Sequence, residues 1–178
     1  MLQVYLTDLA AYNAGSLVGR WVQLPLTGFE LSQAISEVLT EGEHAVDGED
    51  HEEYFITDYE WNDLDIKEID EYENIYDLND ELKLLSDLDK DKLKAVKFLL
   101  DEGITLDIED AISRAEDVTL HQNYTMEDIA YDLIHECYNL KDVPPLIANN
   151  IDYDGIARDL EQDGTYWELG GDVYEYIG

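Results

Sequence analysis

Two hydrophobic periods follow one another along this chain: short strand-like runs up to Trp61, and apolar residues spaced three and four apart after it. Leu2 to Leu6 reads as a strand. The turn-rich Asn13-Ala14-Gly15-Ser16 separates it from a second strand, Val18 to Leu24, which includes Trp21 and Val22. Thr27 and Glu30 form a capping-box pair ahead of Leu31, Ala34, Ile35, Val38 and Leu39 at helical spacing, so a helix follows. After a polar stretch containing Gly42 and Gly48, Glu53 to Tyr59 has strand composition and is expected to return to the same small sheet.

From about residue 62 the spacing is helical. Leu78, Leu82, Leu85 and Leu88 share one face, as do Leu93, Val96 and Leu100, then Ile108, Ala111, Ile112 and Ala115. Three short helices are predicted, with breaks near Asp89 and at Gly103. Lysines 83, 90, 92, 94 and 97 sit here among acidic residues at spacings suited to local pairing. A third segment opens with a short strand, Val118 to Leu120, and Thr125 with Asp128 marks a helix start ahead of Ile129, Leu133 and Cys137. Pro144 and Pro145 are expected to end that helix. A further helix runs from Tyr153 to Gly164, and Tyr166 to Tyr176 forms a hairpin around Gly170 and Gly171. The expected fold class is α+β: an N-terminal α+β domain over 1–61, a helical middle domain over 62–116 and a C-terminal α+β domain over 117–178. No internal repeat stands out.

Charge changes the picture most. The 178 residues carry 44 Asp and Glu against 10 Lys and Arg, a formal net charge of −34. Disordered acidic chains are poor in aromatic residues, whereas this one has 13 Tyr and 3 Trp among regular Leu and Ile, so it is expected to fold. From Glu41 to Asp80 there are 17 acidic residues and one basic residue, Lys67. A solvated face explains most charge runs, but such faces mix both signs. An unneutralised run costs stability through self-repulsion, so selection for the field itself is the simpler reading. Direct nucleic-acid binding needs basic patches to neutralise phosphates, and anionic membranes repel this chain. A basic partner is the complement. The N-terminus lacks a basic region before a long apolar run, and no 18-residue apolar segment occurs, which places the chain in the cytoplasm as an expectation.

Candidate chemistries fail on spacing. Asp87, Asp89 and Asp91 alternate like the start of a calcium loop, but Lys92 stands where glycine is required and Phe98 where the closing glutamate belongs. Asp152, Asp154, Asp159 and Asp163 place Ile156 at a ligand position. His135 and Cys137 are two apart on a predicted helix and point to different sides, and His44, His51 and His121 lack zinc spacing. Cys137 continues the apolar spacing of Ile129 and Leu133, which predicts core packing over nucleophilic use. With 44 carboxylates no acid-base pair stands out, and there is no phosphate loop or nucleophile elbow. The chain therefore reads as a non-enzyme without metal or cofactor. A generic acidic module for basic proteins, an acidic hydrolase and a brine-adapted protein are the alternatives. Duplex competition, divalent-metal dependence and collapse in low salt respectively distinguish them.

Carboxylates on a rigid scaffold can pair with the Lys and Arg of a DNA-binding groove, with steered association and counterion release of the kind DNA shows. Duplex DNA carries one charge per ~1.7 Å, so 34 charges match in number roughly 17 base pairs. The opening Val4-Tyr5-Leu6-Thr7-Asp8-Leu9-Ala10-Ala11-Tyr12-Asn13, then Gly15 to Trp21, resembles the start of ArdA antirestriction proteins. Glu53 to Glu60 is similar to that family's following strand, and Val143-Pro144, Ile151 to Asp154 and Ala157 to Leu160 resemble its C-terminal region.

The resemblance covers most of the chain. It implies an elongated homodimer, carried on mobile genetic elements, that mimics bent duplex DNA. Its expected partner is a Type I restriction-modification enzyme, bound at the specificity and methyltransferase subunits. The family's antirestriction motif falls around Leu140 to Tyr153, near the expected dimer contact, and Asn149-Asn150-Ile151 stands where aromatic residues are expected. Phosphate mimicry is assigned to Glu41, Glu43, Asp47, Glu49, Asp50, Glu52, Asp63, Asp65, Glu68, Asp70, Glu71 and Glu73, with Asp142, Asp152 and Asp159 nearer the middle of a dimer.

Overall fold

The computed structural model describes residues 1–46 and 48–178. Within them eight α-helices and two three-stranded antiparallel sheets form an α+β architecture, in two compact units, Met1–Glu109 and Asp110–Gly178.

In the first unit β1 (Leu2–Asp8) lies between β2 (Gly19–Leu24) and β3 (Tyr54–Trp61). Successive side chains in a strand face opposite sides, so Leu2, Val4 and Leu6, all fully buried, share a face with Val22, Leu24 and Ile56. The helix α2 (Gly28–Val46) packs Leu31, Ile35 and Val38 against the sheet. Each such buried side chain stabilises the unit by roughly 1.5–3 kcal/mol. The Thr27 amide donates to Glu30 Oε2 at 3.0 Å and the Glu30 amide to Thr27 Oγ1 at 3.3 Å, so the expected capping box forms. The Thr27 hydroxyl, then its amide, hold Glu30 below the usual carboxylate range.

One element of this unit was not legible. Asp8 ends β1 and caps a short helix α1 (Leu9–Asn13), which stops at the turn-rich Asn13–Ser16.

The first unit continues past the sheet. The Ile56 amide donates to the Glu71 carbonyl at 2.8 Å, and the Trp61 indole to the Lys67 carbonyl at 3.1 Å. Asn74 caps α3 (Ile75–Ser86) and Asp89 caps α4 (Lys90–Asp101); after the break at Gly103, α5 (Ile108–Arg114) begins in the last two residues of this unit and continues into the second. Asp89 Oδ1 accepts from the Lys92 amide at 2.9 Å, so the alternating aspartates contribute a helix cap. Buried Asn79 of α3 accepts from the Leu26 amide at 2.7 Å and donates to the Leu26 carbonyl at 3.0 Å. That two-way bond pins α3 to the turn between β2 and α2.

The second unit holds β4 (Val118–His121), β5 (Tyr166–Leu169) and β6 (Asp172–Tyr176) in the order β4-β6-β5. Gly170 and Gly171, with φ of 63° and 86°, make the two-residue turn of the expected β5–β6 hairpin. The helices α6 (Met126–Cys137) and α8 (Tyr153–Gln162) close a core of Met126, Ile129, Ala130, Ala157 and Val173. Between them lies α7 (Pro145–Ala148).

Two expectations change here. The helix α6 ends at Cys137, where Tyr138 turns extended, well before Pro144. Pro145 instead opens α7, at the one helical position where a missing amide N–H costs nothing. Cys137 is exposed: the buried face of α6 is its first turn and a half, and that face runs out from under α8 and β5 before the last turn.

Thr125 and Asp128 form a second complete capping box, and bonds from the Thr125 amide, then its hydroxyl, lower the Asp128 pKa. Thr125→Ala is expected to cost about 1 kcal/mol at neutral pH, read from thermal unfolding. A lowered folded pKa stabilises fully above the ordinary Asp value of 3.8. The part of the difference carried by the charged carboxylate therefore fades as pH falls through the folded value.

Candidate acidic partner surface

The expected mimicking carboxylates fall on three stretches of the first unit: the end of α2, the segment joining α2 to β3, and the segment joining β3 to α3. Asp47 lies outside the described residues. Asp50, Glu52, Asp65, Glu68 and Glu71 are exposed. Glu49 is exposed as well and engaged in a contact of its own. Asp63 is exposed and lies 3.6 Å from the terminal ammonium of Met1, and exposed Asp70 accepts from the Tyr72 amide at 2.8 Å. Glu41 is exposed and paired with Arg20. Two members are half-buried and hold the fold together: Glu43 accepts from the His51 amide at 3.3 Å, and Glu73 binds Lys67 Nζ at 2.5 Å.

In the second unit Asp142, Asp152 and Asp159 are exposed. Asp142 accepts from the Asn139 side chain at 2.7 Å, and Asp152 caps α8 by accepting from the Gly155 amide at 2.9 Å. A Cβ at Gly155 would press on the Asp152 carboxylate, so this cap requires glycine.

Six cations are engaged internally. Arg20 bridges Glu37 and Glu41, Lys67 bridges Glu73 and Glu81, and Lys83, Lys97, Arg114 and Arg158 pair with Asp80, Asp101, Asp110 and Asp154. Burial opposes the charge on Lys67, but the bonds to Glu73 and Glu81 outweigh it and raise its pKa. The single cation within the acidic run is thereby tied to its own chain, and the remaining field points outward. Glu30, Glu37 and Asp128 are shifted downward, chiefly through bonds from Thr27, Gln33 and Thr125.

The model of the family described as antirestriction protein (ArdA) matches residues 4–175. The chain belongs to the ArdA family. Comparison with curated proteins found no match. Family membership assigns an antirestriction function, the work of an inhibitor. Among the described residues no helix is long and apolar enough to cross a membrane.

In this ArdA protein the stretch Leu140 to Tyr153 holds a 3₁₀ turn, Leu140–Asp142, then α7. Leu146 and Ile147 are 80% and 59% exposed. Nearby, Tyr131 stacks on His135 at 3.8 Å and lies 5.3 Å from Tyr153.

Sequence reading missed a second feature. Tyr5, Trp21 and Asp58 lie opposite one another across the three strands, on the sheet face away from α2. With Leu9, Tyr12, Leu17, Phe55 and Tyr72 they line a cleft of about 540 Å³. Tyr5 reaches its place because Gly19 has no side chain: a Cβ there would strike the Leu6 carbonyl and the Tyr5 ring. The available signal was the alternation itself, which puts Tyr5 and Trp21 out of step with buried Val4, Leu6 and Val22.

Proposed function

We propose that this ArdA-family protein is a DNA mimic that occupies the DNA-binding groove of Type I restriction-modification enzymes. The specificity and methyltransferase subunits are its partners, and both restriction and modification are blocked. One observation carries the reading: a folded scaffold of net charge −34 presents carboxylates outward, and Lys67, the one Lys or Arg within the acidic run, is tied to Glu73 and Glu81. Exposed carboxylates at fixed positions supply phosphate-type contacts, which give affinity without base readout, so one inhibitor serves against enzymes of many recognition sequences. A net charge of −34 suits a ligand for a DNA-binding groove and not a ligand for DNA.

Homodimerisation belongs to the same proposal. Leu146 and Ile147, with Tyr138 a few residues before them, are exposed apolar side chains in and beside the Leu140 to Tyr153 stretch, and burying such side chains against a second copy offsets the repulsion between two acidic protomers. Replacing Leu146 and Ile147 together by Ser is expected to shift the protein from dimer to monomer in sedimentation while α-helical content is retained. A dimer of unchanged stability would remove these residues from the contact.

The function is tested by adding purified protein to a Type I enzyme cleaving unmodified plasmid. Near-stoichiometric loss of cleavage supports the mimic. Undiminished cleavage at excess inhibitor, in low salt, refutes it.

A further inference from the structure

We propose that the aromatic cleft on the open face of the first sheet is a socket for an arginine side chain presented by the bound protein. The identity of that protein rests on the mimic reading; the chemistry of the socket rests on its own residues.

The walls are rings. Trp21 meets Tyr5 edge-on with centroids 5.4 Å apart, and Phe55 lies between Tyr12, edge-on at 5.2 Å, and Tyr72, near-parallel at 6.0 Å. Phe55 is buried and anchors the group, whereas Tyr12, Trp21 and Tyr72 are 52%, 46% and 69% exposed. Three large rings held at water around one concavity add little to the core, and they do not cover the cleft. A volume of about 540 Å³ is within the usual range of ligand pockets, so a whole side chain can enter.

The rim fixes the sign of the occupant. Asp58 and Glu71 line the cleft, and among the described residues no Lys, Arg or His does. Ring faces carry negative electrostatic potential, so walls and rim together favour a cation. A guanidinium fits better than an ammonium: it is flat, weakly hydrated, stacks on a ring and forks toward a carboxylate. A second copy of this chain is a poor occupant, because a protomer of net charge −34 brings further carboxylates against Asp58 and Glu71. An arginine that ordinarily faces DNA is the complement, and the socket gives it a desolvated contact that an exposed carboxylate cannot supply.

The test uses the ¹⁵N-labelled full chain and the indole N–H signals of Trp21, Trp61 and Trp167, with the Trp21 signal assigned by Trp21→Phe. N-acetyl-arginine amide is titrated in, and separately its neutral isostere N-acetyl-citrulline amide. Arginine is expected to shift the Trp21 signal several-fold more than citrulline does, and more than it shifts Trp61 or Trp167. Asp58→Asn, an exposed substitution that keeps a side-chain oxygen for the Tyr59 amide, is expected to weaken that shift.

In the intact system, Trp21→Ala with Tyr72→Ala leaves net charge unchanged. It is expected to weaken binding to the restriction enzyme roughly 5- to 30-fold without altering the salt dependence. Equal shifts from arginine and citrulline, equal movement of all three indoles, or unchanged affinity of the double variant overturns the proposal. If wild-type protein does not bind the enzyme while the arginine-selective shift persists, the mimic reading fails and the guanidinium site stands.

Discussion

Asp8→Ala is expected to destabilise the first unit by about 2 to 4 kcal/mol, the combined scale of a lost helix cap and a lost buried side-chain hydrogen bond. Asp8 is fully buried and uses both oxygens: Oδ1 accepts from the Ala11 amide at 2.7 Å, capping α1, and Oδ2 meets buried His51 Nδ1 at 2.7 Å. Alanine removes both contacts at once and leaves buried His51 Nδ1 without that carboxylate. Gly42 explains how α2 comes so close, since a Cβ there would collide with the Asp8 carboxylate. Gly42→Ala is accordingly expected to cost about 1 to 3 kcal/mol by overpacking. Urea unfolding followed through NMR signals of residues 1–109 checks both. A loss below about 1 kcal/mol for Asp8→Ala, the scale of an ordinary helix cap, would mean that the His51 contact adds no stability.

The second large effect is on inhibition and has the opposite sign on stability. Asp50→Asn, Glu52→Gln, Asp65→Asn and Glu68→Gln together are expected to weaken binding to the restriction enzyme about 10- to 100-fold, since exposed ion pairs contribute up to ~1 kcal/mol each. Each alone is expected to be nearly silent. The salt slope should also fall, because each lost phosphate-like contact removes about 0.9 from it. Meanwhile the fourfold variant should melt at a higher temperature than wild type, because self-repulsion decreases. Higher stability with poorer inhibition marks a surface kept for its field. If one substitution abolished binding while fold and dimer persisted, a distributed charge surface would be the wrong description.

Local chemistry was readable and long-range chemistry was not. Thr27–Glu30 and Thr125–Asp128 signal helix starts within four residues, and both boxes form because every bond they need is local. Strand runs, helical spacing and the Gly170-Gly171 turn carry through for the same reason. Asp8 reads as one more acidic residue until β1 pairing and α2 bring His51 and Gly42 to it from more than 30 positions away. The cleft is hidden likewise: register places Trp21 and Asp58 beside Tyr5, and an irregularity between Tyr5 and Leu6 brings Phe55, opposite Thr7, onto the same face as Asp58. Glu43 and Glu73 look equivalent to their neighbours in an acidic run, yet burial gives them internal partners. The two prolines misled for a different reason: a proline stops a helix from the inside but starts one at its first residue.

The most direct measurement is displacement of a labelled recognition-site duplex from a purified Type I restriction-modification enzyme, titrating this protein at several salt concentrations. Stoichiometric displacement that weakens as salt rises is the predicted result. A folded, dimeric protein that displaces no duplex even at low salt would contradict DNA mimicry.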